Sequence, residues 1–190
     1  LMGLQIGRTN LTFVFSAGSD QIVKVVVDDT TEIGAVTGNI DIQVENTTAP
    51  TANAIAPKFT LKAKEGKEYD LSKLTIRYYF TNEQPKVGTT CWVDAAAMQY
   101  TTAPWYVSIG ENVTGTVKNM ETATATANQY IEFTFDTDAK LTSASTLVMG
   151  TRTANNNWSA FDQSNDFSYE GADKVAVFYD GELISGSIPQ

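Results

Sequence analysis

Apolar residues return at every second position along most of this chain, and that period commits it to strands rather than helices. Ile40, Ile42 and Val44 form one such series, followed by Phe59 and Leu61, then Leu74, Ile76, Tyr78 and Phe80. The period returns between Val113 and Val117, at Ile131, Phe133 and Phe135, at Leu147 and Met149, and at Val175, Val177 and Tyr179 before an Asp180-Gly181 turn. No stretch keeps a helical stripe for three turns, and Ala95-Ala96-Ala97-Met98 amounts to one helical turn, too short to stand alone. Many short strands broken by turn residues predict an all-β antiparallel sandwich of jelly-roll type, its two sheets burying their alternate faces against each other.

At 190 residues the chain has room for one full domain and a smaller appendage. Leu11, Phe13 and Phe15, then Val23, Val25 and Val27 across Ala17-Gly18-Ser19-Asp20, read as a hairpin. A lone hairpin is marginal in water, so this one is expected to pack on another module, to exchange strands within a dimer, or to be the stub of a truncated domain. The reading is therefore a hairpin over 1–30, a linker over 31–37 rich in Thr, Gly and acidic residues, and the main module over 38–190.

Charge and composition exclude much. A net charge of −9 with scattered Lys and Arg argues against nucleic acid and against an anionic membrane, whereas a neutral polymer such as a polysaccharide meets no repulsion. With no histidine, His-dependent triads and His-ligated zinc are ruled out, and a single cysteine, Cys91, builds neither an internal disulfide nor a structural zinc site. Cys91 reads as packing. No carboxylate pair sits in a recognisable glycosidase setting, so the chain is expected not to be an enzyme. The start, Leu1-Met2-Gly3, lacks a leader, and an export signal is expected to lie upstream or to have been removed.

Sugar rings present an apolar C–H face that lies flat on an aromatic ring. In Arg152-Thr153-Ala154-Asn155-Asn156-Asn157-Trp158 a guanidinium and an indole flank a polar turn, and the three asparagines favour an exposed Trp158 over a core one. Trp105 and Tyr106 follow a loop-like Thr101-Thr102-Ala103-Pro104, and on an extended chain they would face opposite ways, one of them toward solvent.

Five segments resemble the family 3 carbohydrate-binding modules of bacterial scaffoldins and cellulases. They are Asp70-Leu71-Ser72-Lys73-Leu74-Thr75-Ile76-Arg77-Tyr78-Tyr79-Phe80-Thr81, Cys91-Trp92-Val93-Asp94, Asn112-Val113-Thr114-Gly115-Thr116, the stretch from Trp158 to Ser168, and Tyr179-Asp180-Gly181. They occur in the family's order over about residues 38–189.

The resemblance implies a nine-stranded jelly roll with a planar strip that binds crystalline cellulose without catalysis. At the matching positions stand Asp94, Tyr106, Arg152 and Trp158, with Asn53 as a polar anchor to a neighbouring chain and Trp105 as a further ring. Ala95 stands where the scaffoldin modules carry a histidine, which should weaken the strip, and Val93 stands where relatives often have cysteine. A structural Ca²⁺ is implied at Thr81, Glu83, Asp162, Asn165 and Asp166, with Glu83 in place of a shorter Asp. The protein would be secreted, on the bacterial surface or in a cellulosome, beside neighbouring modules of its own polypeptide. The hairpin resembles the end of an immunoglobulin-like X module of scaffoldins. Alternative readings are the helper module of a family 9 endoglucanase, against which Arg152 and Trp158 argue, and a structural module binding linkers in a shallow groove with Arg77, Tyr78 and Tyr79.

Overall fold

A computed structural model of the protein describes residues 35–36 and 38–190; the hairpin read over 1–30 lies outside them. The strands run in the order β1 (Ala35–Val36), β2 (Ile40–Asn46), β3 (Thr51–Ala52), β4 (Pro57–Ala63), β5 (Glu68–Asp70), β6 (Leu74–Phe80), β7 (Thr89–Tyr100), β8 (Tyr106–Ser108), β9 (Val113–Asn119), β10 (Gln129–Phe135), β11 (Lys140–Thr142), β12 (Ser145–Asn155), β13 (Phe161–Asp162), β14 (Ala176–Tyr179) and β15 (Glu182–Ser187). Nine of them have four or more residues. A six-stranded sheet in the order β1-β15-β14-β6-β10-β9 packs on a five-stranded one ordered β2-β4-β12-β7-β8, with short ladders β5-β11 and β3-β13 at the margins. Every pairing among the described residues is antiparallel, as a jelly roll requires. β1 falls within the stretch read as linker and pairs with Gly186 and Ser187 at the edge of the larger sheet.

The period-two series land where their alternation sends them. Along β4 the residues Pro57, Phe59, Leu61 and Ala63 are buried while Lys58 and Lys62 are exposed. Leu74, Ile76, Tyr78 and Phe80 on β6 face Ile131 and Phe133 on β10 and Leu147 and Met149 on β12 within one core. Phe59 sits at its centre, edge-on to Phe133 at 5.5 Å and to Tyr78 at 6.2 Å. Tyr78 is fully buried, its hydroxyl donating to Asn46 Oδ1 at 3.1 Å, so it is a core residue and no part of a surface groove. Arg77 and Tyr79, one position either side of Tyr78, point to the opposite face of the sheet, where Arg77 lies over the rings of Tyr130 and Phe178 and pairs with Glu132.

Two glycines explain local geometry. Gly181 (φ 85°) follows Asp180 (φ 51°), and two positive φ angles in succession make the tight turn that joins β14 to β15. At Gly115 on β9 a Cβ would fall 2.5 Å from Cys91 Sγ, so the thiol fills the space the glycine leaves, and Cys91 packs against the core from β7.

Candidate functional site

β7 is a single strand through the alanine run, not a helical turn, because its register continues along β12 from Tyr100↔Ser145 to Thr89↔Asn155. The continuity is broken once. Gly150 pairs with Ala95, but Thr151 pairs with Val93, so Asp94 is an extra residue bulged out of the ladder. Beyond the bulge Ala96 and Met98 point into the core; before it Cys91 and Val93 do. Regular pairing of this sequence would instead turn Trp92 and Asp94 inward, since one residue of slip reverses every side chain. The bulge keeps Trp92, Asp94 and Ala95 together on the outer face, where all three are exposed.

On that face a row assembles. Trp92 lies opposite Arg152 in the register, and the guanidinium carbon sits 5.0 Å from the centre of the Trp92 ring. Arg152 Nη2 donates to Asp94 Oδ1 at 3.1 Å, which fixes the plane of the guanidinium beside the indole. The Trp158 ring lies 6.4 Å from Trp92 with only 11° between their planes. Trp158, Trp92, Arg152 and Asp94 thus form one contiguous row, the two indoles stacked on each other and the guanidinium lying over the Trp92 ring. Tyr106 on β8 pairs with Gln99, and Gln99 with Thr146, six ladder steps from Arg152 or roughly 20 Å along the same face. Between the two ends Ala95 lies beside Gly150 and the buried Ala97 beside Val148, and nothing stands within 4 Å of where a Cβ on Gly150 would be.

All three tryptophans are exposed, Trp92 by 37%, Trp105 by 62% and Trp158 by 53%, and Tyr106 by 58%. Tryptophan is on average a highly buried residue, so their gathering on one sheet and its adjoining turns marks that side of the molecule. Trp105 and Trp158 also hold left-handed backbone conformations, φ 63° and φ 57°, which cost a bulky residue about 1–2 kcal/mol each. Strain of this kind concentrates at functional sites. It also breaks the alternation expected at Trp105 and Tyr106: residue 105 is not extended, and both rings face solvent. Asn53 is exposed, and its amide donates to the main-chain carbonyl of Trp158, bracing the turn. Reading from Asp94 by twos would have found Trp92; its apolar neighbours Cys91 and Val93 concealed it.

The other predicted group gathers around Asp166, which is fully buried. Asp166 Oδ1 accepts from the Thr81 amide at 2.6 Å, while Asp166 Oδ2 and Thr81 Oγ1 are buried without a hydrogen-bond partner. Burial, with the negative charges of Glu83 and Asp162 nearby, pushes the Asp166 carboxyl up to about 7. Glu83 Oε1 accepts from the Asp162 amide at 3.0 Å, and Asp162 Oδ1 caps the next turn by accepting from Ser164 N and Oγ. Asn165 is exposed. Among the described residues no group of three or more His, Cys, Asp or Glu side chains is assembled for a metal. No helix among them is long and apolar enough to cross a membrane.

The profile of the cellulose binding domain family matches residues 41–186. Cellulosomal-scaffolding protein A of Acetivibrio thermocellus is 35% identical over 161 residues, covering 81% of this chain and 8% of that protein. A xyloglucanase of a Paenibacillus species is 31% identical over 198 aligned positions, covering 100% of this chain and 18% of that protein. The chain therefore spans under a fifth of the length of either relative. Among solved structures, a module with flanking linkers from a scaffoldin of the Clostridium thermocellum cellulosome superposes with a TM-score of 0.72 at 33% identity, over 80% of this chain and 91% of that one. A family IIIa cellulose-binding domain from Clostridium cellulolyticum gives 0.73 at 32% identity, over 82% and 100%. With its profile match over most of its length and its sandwich shared with those domains, the chain belongs to the family 3 cellulose binding domains, modules that bind rather than catalyse.

Proposed function

We propose that the chain attaches its parent protein to crystalline cellulose by laying the row Trp158, Trp92, Arg152 and Asp94, with Tyr106 and Trp105 at the far end, along exposed glucan chains. The observation that carries this reading is the near-parallel Trp158–Trp92 pair continued by a guanidinium held by Asp94 on the same face. A row of aromatic and guanidinium groups exposed on one sheet face suits the apolar faces of successive glucose rings in a crystal plane. The ring edges and the Asp94–Arg152 pair supply donors and acceptors for equatorial hydroxyls. Each contact is weak, and several along one polymer add up. Asn53, beside the row, serves as a positioning group through Trp158 and as a polar contact to a neighbouring glucan chain. The parent would work outside the cell, where cellulose is, with neighbouring modules acting on the surface to which this one holds them.

A structural Ca²⁺ would be held by Thr81 and Asp166, with Glu83 and Asp162 adding negative charge and Asn165 at the rim. The support is the pair of buried oxygens left without partners, Thr81 Oγ1 and Asp166 Oδ2, a hard-donor set suited to calcium. When bound, the ion would neutralise the buried carboxylate and tie the 81–83 loop to the 162–166 segment.

The test of the binding face is depletion from solution by microcrystalline and by amorphous cellulose. The parent should be removed preferentially by the crystalline form, and Trp158→Ala should remain in solution. Full sedimentation of the folded Trp158→Ala variant would reject the face.

A further inference from the structure

We infer that a buried cluster of side-chain amides, centred on Asn82 and Asn155, positions the Trp158 ring from inside the sandwich; the functional part of this inference rests on the binding face proposed above. Asn82, Gln129 and Asn155 are 1%, 5% and 1% exposed. They come from three places: the loop after β6, β10 in the six-stranded sheet, and the end of β12 in the five-stranded one. Asn82 Nδ2 joins the two sheets, donating to Gln129 Oε1 and to Asn155 Oδ1, each at 3.0 Å, with Thr89 Oγ1 at 3.3 Å. Asn82 is itself fixed, since its main-chain amide donates to Asn128 Oδ1 at 2.8 Å, its carbonyl accepts from Asn128 Nδ2 at 2.9 Å, and its Oδ1 accepts from the Gln84 amide at 2.8 Å.

From this anchor the bonds run outward to the turn. The Asn155 carbonyl accepts from Trp158 N at 2.8 Å, and Asn155 Nδ2 donates to Ser159 Oγ at 3.0 Å. Ser159 N donates to Asn157 Oδ1 at 3.0 Å, and Asn157 Nδ2 reaches Gln84 Oε1 at 3.1 Å, returning to the loop that begins at Asn82. A left-handed tryptophan relaxes unless its surroundings over-determine it, and here Asn155, at the root of the turn, is locked by uncharged amides of which Asn82 and Gln129 are buried with it. An apolar plug would fill the same space but would leave the direction of the turn undetermined, whereas amides specify it. Asn82 and Asn155 are thus positioning residues, and neither needs to touch the polymer.

The experiment uses Trp92→Phe/Trp105→Phe as background, in which Trp158 is the sole tryptophan, and measures acrylamide quenching and anisotropy of its emission without ligand. Asn155→Ala should raise the quenching constant and lower the anisotropy while far-UV circular dichroism and cooperative melting persist. In the parent sequence the same change should weaken binding to crystalline cellulose about five- to tenfold. Ser159→Ala cuts one bond of the same path from the solvent side and should shift the emission in the same direction by less. Unchanged Trp158 emission in folded Asn155→Ala overturns the inference; if that variant does not fold, unchanged emission in Ser159→Ala does so. Should Trp158→Ala bind cellulose as well as the parent, the face is wrong, and the ligand-free emission still decides whether the cluster orients the ring.

Discussion

Asp94 is an extra residue in its strand, and that excess brings its carboxylate to 3.1 Å from Arg152 on the neighbouring strand. Removing Asp94 outright would leave Val93 beside Ala95 with regular alternation, so Trp92 would still face outward and the ladder would still close. Deletion of Asp94 and Asp94→Ala should therefore both fold, and both should lose about two- to fivefold in affinity as the guanidinium loses its clamp, the range expected for an exposed ion pair. Adsorption isotherms beside thermal melts check this. Insertion of one residue at the same place likewise restores alternation, so Trp92 should stay outward but move opposite Ala154 instead of Arg152, which breaks the row and weakens adsorption.

Ala95 is exposed in the low floor between the two ends of the row, with open space over Gly150 beside it. Ala95→Tyr places a ring there without displacing packed atoms, and affinity for crystalline cellulose should rise about three- to tenfold. An isotherm no tighter than the parent's would show that the far end of the row, at Tyr106 and Trp105, does not act together with the near end.

The left-handed backbone at Trp158 gives a stability test separate from binding. Trp158→Gly and Trp158→Ala should both abolish adsorption, but the glycine variant should be about 1 kcal/mol more stable than the alanine one, because only alanine retains a Cβ in the strained conformation. Chemical denaturation of the two proteins measures the difference.

If calcium sits at Thr81 and Asp166, a chelator should lower the melting temperature and excess Ca²⁺ restore it, with about 2.7 kcal/mol of added stability at a hundredfold excess over the dissociation constant. Asp166→Asn removes one carboxylate charge from the buried pair of orphaned oxygens and should make the melting temperature insensitive to the ion. Equal melting of the parent with chelator and with calcium would dismiss the metal.

Glu132, on the face of the other sheet, is nearly buried. Burial alone would raise its carboxyl, but hydrogen bonds from Lys118 and Arg77 outweigh that and hold it below the usual carboxylate range. A depressed folded value means that the unfolded chain takes up the proton first. The stabilisation is therefore complete above about pH 4.3, the unfolded value, and is lost as pH falls through the folded one. Glu132→Gln should lower the melting temperature at pH 7 and flatten its decline between pH 5 and pH 2 in parallel melts.

The sandwich was legible because alternation survives in almost every long strand: Phe59, Leu61, Ile76 and Phe133 announce their own burial. β7 was the exception, since alanines at 95–97 serve either a helix or a strand, and only pairing with β12 decides between them. The nearness of Asp94 to Arg152 was suggested by family resemblance and not by spacing, for the two lie 58 residues apart and meet through long-range pairing. Trp92 stands two residues before Asp94, but its apolar neighbours Cys91 and Val93 make the whole stretch read as core strand, and the phase change at the bulge has no strong sequence signature. The neighbourhood of Asp166 was legible only as a polar segment; that its carboxylate is sealed inside with an orphaned threonine hydroxyl follows from packing.

The left-handed turn at Trp158 bears on what adsorption does to the two partners. A ring whose backbone is already confined arrives at the polymer with little freedom left to surrender, so ordering on contact falls mainly on water and on loose chain ends of the glucan. A highly ordered lattice, having few such loose ends, is then the partner for which the entropy change opposes association least.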